Sequence, residues 1–261
     1  MLRRIEFFFQ LSRERKIVLI VDKLINVFIC ICFFPLLLYG LYGIWDARSI
    51  YSGADSKQYE SYRPTEDELS FNQLKKINPE VFGWITVDDT HIDYPLVQSD
   101  NNSKYVNTDA KGGFSLSGSL FLDCRNKKDF SDLNNIIYGH HMEKNAMFGE
   151  LENFQKKTYF ESHKEGEIYY ESSWHRIEFF AFLHVDAYNP YLYNVFLKGK
   201  KDQDEYLVYI KSHSLQYRNL KFNDDEHLVV LSTCTSDSTN GRHLLIGKIA
   251  GNIAKSSKGG R

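Results

Sequence analysis

The sequence predicts a mainly β domain, a closed or nearly closed eight-stranded barrel, preceded by one long apolar helix. Short apolar runs recur between clusters of turn residues at 82–87, 91–98, 119–122, 135–138, 166–171, 175–184, 228–232 and 243–249, and strands spaced in this way favour barrel closure. One uncharged run, Leu24 to Trp45, is about 22 residues long, enough to cross a hydrocarbon layer of about 30 Å at about 1.5 Å per residue. Helical spacing marks two further segments, one before the first strand and one between 202 and 216.

The composition is consistent with this plan. A chain of 261 residues, 43% hydrophobic, can build one ordinary domain and have the apolar segment left over. A formal net charge of −2 gives no sign of a nucleic-acid partner. With 15% aromatic and 25% charged residues, the bulk of the chain is not of disordered type.

At the N-terminus, Arg3, Arg4, Arg13, Arg15, Lys16 and Lys23 outnumber Glu6, Glu14 and Asp22. That excess keeps the preceding residues on the cytoplasmic side of a membrane-spanning helix and puts the rest outside. Tyr39, Tyr42 and Trp45 suit the interface, and Pro35 is tolerated within a span. A cleaved signal peptide fits less well, because the apolar core is long and no Ala-x-Ala-like site follows.

Residues 46–64 are polar and read as a spacer or the start of a helix. Thr65-Glu66-Asp67-Glu68 followed by Leu69, Phe71, Leu74 and Ile77 reads as a capped amphipathic helix, with Asn78-Pro79 as its stop. Met147 to Phe160 reads as a short helix or turn. In the 202–216 segment, Tyr206, Leu207 and Ile210 share a helical face behind an acidic first turn.

The chemistry concentrates in 228–249. An apolar run ends in Ser232-Thr233-Cys234, a polar loop follows, and Arg242 opens a second apolar run: a strand, a turn and a strand. A cysteine attacks as its thiolate, and an arginine beside it can hold a carbonyl or its developing oxyanion. The best candidate for the base that such a nucleophile needs is in Tyr138-Gly139-His140, where glycine lets the backbone turn and the imidazole emerges at a strand end; the other reading is a surface histidine, one of nine. The seven residues between Cys234 and Arg242 leave the hairpin register open. Cys124 is a rival thiol that fits a small strand-end residue better, and a bridge from it to Cys234 stays open. Neither a disulfide framework nor a metal-ligand pattern emerges from four cysteines, two of them inside the apolar run. Asp237 reads as a turn residue of the polar loop.

Tyr138-Gly139-His140, Leu231-Ser232-Thr233-Cys234 and Arg242, in that order, resemble the His, Cys and Arg motifs of the sortases, cysteine transpeptidases of Gram-positive surfaces. Gly83-Trp84-Ile85, Ile92 to Gln98, Asp100-Asn101-Asn102 with Tyr105, Gly118 to Asp123 and Met147 to Leu151 resemble class B in particular. Cys124 departs from that pattern, which more usually has an aromatic residue there.

The resemblance implies a sortase-like barrel with an N-terminal helical extension and a helix in the loop before the cysteine strand. It implies 1–23 as cytoplasmic N-terminus, 24–45 as transmembrane signal anchor, 46–64 as extracytoplasmic spacer and 65–261 as catalytic domain. His140, Cys234 and Arg242 would be catalytic: Cys234 forms a thioester after the threonine of a C-terminal sorting motif, His140 moves protons, and Arg242 holds the oxyanion. Asn102, Val106, Ser232, Tyr209 and Ile210 would contact substrate. The local pattern reads Asn102 equally as a turn residue, Val106 as packing, Ser232 as a satisfied hydroxyl, and Tyr209 and Ile210 as core or solvated-helix positions. His141 and His243 face away from their catalytic neighbours. No cofactor or metal is implied. The implied partners are surface proteins bearing a sorting signal, an acceptor amine on a peptidoglycan precursor or a pilin, and the membrane through the N-terminal helix. Two other readings remain, a cysteine peptidase that only hydrolyses and a non-catalytic membrane-anchored binding module. The order His140 before Cys234 runs against papain-like enzymes.

Overall fold

The computed structural model describes residues 12–65, 67–223, 226–235 and 240–252. The chain divides into two compact units, Met1–Ser49 and Ile50–Arg261. The first is built on α1 (Arg13–Ala54), a continuous helix with Pro35 inside it. Its apolar side chains from Ile17 to Trp45 are exposed, as expected of a helix whose apolar surface has no protein partner. Arg3, Arg4 and Glu6 lie outside the described residues.

The second unit is the barrel. Its strands are β1 (Val81–Val87), β2 (Asp93–Val97), β3 (Leu120–Leu122), β4 (Asn134–Tyr138), β5 (Glu165–Tyr170), β6 (Ser173–Asp186), β7 (Gln216–Tyr217), β8 (His227–Cys234) and β9 (Gly241–Asn252). Hydrogen bonding runs β5-β1-β2-β3-β4-β8-β9-β6, and the antiparallel β5–β6 pair closes the ring of eight. The ninth strand, β7, pairs only with Ala181 and Phe182 of β6. With two residues it has no readable period, which is why the sequence does not announce it. The β2–β3 and β4–β8 pairs are parallel and the rest antiparallel. All eight segments expected as strands are strands, with shifted ends: β2 starts at Asp93 because His91 and Ile92 belong to the preceding turn, and β9 starts at Gly241.

Two apolar clusters line opposite faces of the barrel wall. Val229 and Leu231 of β8, with Leu245 of β9 and Ile137 of β4, belong to the inner cluster. Leu228 and Val230, with Leu244, Ile246 and Ile136, belong to a second cluster outside, completed by Leu192, Tyr206 and Ile210. Since β8 is covered on both faces, its sequence is an unbroken apolar run instead of an alternating one.

The outer cover is the 187–198 segment with helix α4 (Gly199–His213), whose Gln203, Tyr206 and Ile210 are buried. The Lys198 N–H donates to the Asp202 carboxylate at 2.8 Å, closing the first turn. Helix α2 (Leu69–Ile77) buries Phe71 and Leu74 but leaves Leu69 and Ile77 exposed, so only half of its apolar spacing packs against the core. Its cap also differs from the expected one. Glu68 occupies the N-cap with φ +53 and makes no side-chain cap bond, while the Asp67 carboxylate accepts from the Leu69 N–H at 3.3 Å; Glu66 lies outside the described residues. The stretch after the histidine motif forms a 3-10 helix, Gly149–Gln155, and α3 (Lys157–Ser162).

Candidate active site

The β8–β9 register pairs Cys234 directly with Arg242. The neighbouring Thr235 N–H donates to the Gly241 carbonyl at 3.0 Å. Hydrogen-bonded and non-hydrogen-bonded pairs alternate along an antiparallel ladder, so 234/242 is the close-approach pair, with both side chains on one face. This supplies the register that the seven intervening residues left open. On the other side of β8, the parallel pairing with β4 ends at Tyr138 opposite Ser232, and the Gly139 N–H donates to the Ser232 carbonyl at 3.1 Å. His140 follows Tyr138 by two residues just past the end of β4, and Cys234 follows Ser232 by two at the end of β8, so both leave the barrel wall at the same edge. Adjacent strands thus bring His140, just past the end of β4, Cys234, at the end of β8, and Arg242, at the start of β9, to one edge of the barrel wall. Cys234 is exposed, and His140 and Arg242 are half-buried.

Gly139 is required for space more than for turning freedom, which corrects the reason given by the sequence. A Cβ there would lie 2.4 Å from Leu120 Cδ2 and 2.6 Å from Phe148 Cδ2. The His140 ring is oriented by its Nε2, 2.8 Å from the Val106 carbonyl. A carbonyl can only accept, so that nitrogen is protonated and a neutral ring would keep Nδ1 as its acceptor. The Arg242 Nη1 donates to the Gly241 carbonyl at 2.8 Å.

The expected substrate contacts fall in several places. Val106 offers His140 its carbonyl while its half-buried side chain packs on the inner cluster. The Asn102 Oδ1 accepts from the Cys124 N–H at 2.7 Å, so its amide ties the loop after β2 to the end of β3. Ser232 is buried on the same strand face as Cys234, and its hydroxyl meets the Tyr193 hydroxyl at 2.9 Å. The Tyr209 ring stacks between Tyr191 and His213, and its hydroxyl accepts from Asn189 at 2.9 Å. Ile210 is fully buried in the outer cluster under α4, where packing takes all of its surface.

His141 faces the Glu152 carboxylate, and His243 is buried beside Phe182 on the face opposite Arg242. Asp237 lies outside the described residues. The Asp123 N–H donates to the Ile136 carbonyl, which puts the start of the Cys124 turn four residues back along β4 from His140. That is about 13 Å along the strand, beyond the roughly 7 Å limit for a bridge, and both thiols are free. Among the described residues, no group of three or more His, Cys, Asp or Glu side chains could hold a metal ion.

Tyr193 is the site residue that the sequence does not reveal. Its ring stacks on Tyr138 with an interplanar angle of 9°, and its hydroxyl reaches Ser232. Burial pushes the phenol up to about 12, with Arg242 pulling it down and Cys234 pushing it up, so Tyr193 lies within electrostatic reach of both. Behind it the Tyr138 hydroxyl donates to Asp123, which Arg125 grips through two nitrogens at 2.8 and 2.7 Å.

A nucleophilic sulfur flanked by an imidazole and a guanidinium is an acyl-transfer arrangement. A family model described as the sortase domain matches residues 85–250. Sortase B of Listeria monocytogenes is 33% identical over 208 residues, covering 78% of this chain and 82% of that protein. The chain belongs to the sortase family. Among solved structures this sortase is similar to a class B sortase of Streptococcus pyogenes involved in pilus biogenesis, with 44% identity, a TM-score of 0.64, and coverage of 69% of this chain and 98% of the other. It is also similar to sortase B from the type II pilus of Streptococcus pneumoniae, with 39% identity, a TM-score of 0.61 and the same coverage. The sortase is thus of class B and is a cysteine transpeptidase for surface proteins.

Proposed function

We propose that this sortase cleaves a C-terminal sorting motif after threonine, with Cys234 as nucleophile, His140 as acid and base, and Arg242 as oxyanion holder. The observation that supports this reading is the cross-strand pair Cys234–Arg242 with His140 following the end of the neighbouring strand β4. The Cys234 sulfur adds to the threonine carbonyl, and the oxyanion that forms is met by the Arg242 guanidinium. As the C–N bond breaks, a proton from the imidazole leaves on the departing amine and a thioester remains. An incoming amine then gives its proton back to the imidazole, attacks the thioester and releases the thiolate.

A pilin is the favoured client and acceptor, because the relative at 44% identity is described as acting in pilus biogenesis; a peptidoglycan precursor amine is the other acceptor class. Asn102, Val106, Ser232 and Tyr209 are assigned to substrate contacts, and Ile210 would join them only if α4 shifts. The long exposed apolar face of α1 and the basic residues that precede its apolar run support a single-pass membrane anchor with the N-terminus cytoplasmic and the barrel outside. On this reading 1–23, 24–45, 46–64 and 65–261 are the tail, anchor, spacer and catalytic domain.

The test is a pool of sorting-motif peptides, with and without an amine acceptor, read by mass spectrometry. A joined product that depends on Cys234 is expected. Hydrolysis alone would indicate a peptidase, and no turnover would indicate a binding module.

A further inference from the structure

The loop that follows His140 is held in an unfavourable backbone conformation. Lys144, Asn145 and Met147 all have positive φ, at 59°, 60° and 52°, a region that costs side-chain-bearing residues free energy and persists only where the surroundings enforce it. Met147 is the most demanding of the three, because its side chain is bulky and buried. The loop also returns directly onto the histidine: Met147 forms a bridge with His141, and the Phe148 N–H donates to the His140 carbonyl at 3.0 Å.

One side chain holds Met147. The Tyr94 hydroxyl accepts from the Met147 N–H at 3.1 Å and donates to the Ala54 carbonyl at 2.8 Å. Ala54 is the last residue of α1 and belongs to the barrel unit, and its carbonyl is one of those a helix end leaves without an internal partner. Tyr94 itself is buried, and its phenol is pushed up to about 12 by that burial. A second contact runs in parallel: the Tyr51 hydroxyl donates to the Glu143 carboxylate at 3.4 Å, and the Lys144 ammonium lies 4.3 Å from the Tyr51 ring centroid.

We propose that Tyr94 is a positioning residue for His140, joining the C-terminal end of α1 to the strained loop that returns onto the histidine. It does not touch the reacting atoms. The proposal rests on the catalytic reading of His140 and adds that the helix end is part of the site's support.

The test uses the full chain in detergent micelles and follows alkylation of Cys234 by iodoacetamide, mapped by peptide mass spectrometry, from acid to mildly alkaline pH. His140→Ala defines the profile without the imidazole. Tyr94→Phe keeps the ring and removes both hydrogen bonds. It is expected to move the profile most of the way to that of His140→Ala, with alkylation near neutrality about fivefold slower than wild type. Tyr169→Phe, which loses a hydroxyl donated to Glu68, controls for loss of a phenol hydrogen bond and should keep the wild-type profile whatever its melting temperature. A His140→Ala profile identical to wild type overturns the reading of His140, and this proposal with it. A changed His140→Ala profile beside a wild-type Tyr94→Phe profile overturns this proposal alone. Should Tyr94→Phe not fold, Tyr51→Ala decides: a smaller shift in the same direction supports the coupling, and a wild-type profile overturns it.

Discussion

Cys234 and Arg242 are cross-strand neighbours, so backbone register and not a flexible loop sets the arginine beside the cysteine. A lysine could keep the charge there but not the fork of donors. Arg242→Lys should therefore lower kcat/KM by about 100-fold, the scale of losing one oxyanion donor, with little change in melting temperature; steady-state kinetics on a cleaved peptide checks this. Asp123 gives a second prediction. Burial alone would raise its carboxyl, but bonds from Arg125 and Tyr138 outweigh that and hold it below the ordinary value. The folded state thus binds that proton less tightly than the unfolded chain. The resulting stability is present above the unfolded carboxylate pKa of about 3.9 and is lost as pH falls through the lower folded value. Asp123→Asn should flatten the acid side of a denaturant-midpoint against pH curve without levelling it, since Glu68 and Glu80 are also held low. Residues of this second kind were hidden in the sequence. Tyr193 is one of 17 tyrosines and lies in a segment without periodicity, so only the fold reveals that its hydroxyl meets Ser232.

The strand endings do the positioning. Gly139 passes between Leu120 and Phe148 with no room for a methyl group, and its N–H bonds the Ser232 carbonyl just before His140. Gly139→Ala should destabilise by about 1–3 kcal/mol, the usual cost of overpacking, and lower activity further than that loss explains; urea unfolding and kinetics on the same preparation separate the two. The strands were legible because their periods and turn residues agree, and β8 was legible despite lacking alternation, because apolar cover on both faces leaves an unbroken run. Register was not legible. Nothing in the polar loop before Arg242 fixes which residue opposes Cys234, and nothing in the apolar spacing of α2 foretold that Leu69 and Ile77 would stay in solvent.

Over the whole molecule, motifs far apart along the chain become neighbours in the sheet. His140 and Cys234 are brought side by side by the parallel β4–β8 pair, a non-local contact that no local pattern encodes. The apolar stretch of α1, by contrast, was readable from composition alone, and its side chains have no protein cover. The full chain should accordingly sediment with membranes and resist extraction by high salt, while detergent releases it; release by salt alone would argue against a spanning helix. The central claim is that Cys234, not Cys124, takes the acyl group. Intact-mass and peptide-mapping spectrometry of the full chain, mixed with a sorting-motif peptide pool and no amine, tests it most directly. The account predicts a thioester on Cys234 that disappears when an amine is added and never forms in Cys234→Ala. An adduct on Cys124, or one that persists in Cys234→Ala, would contradict it.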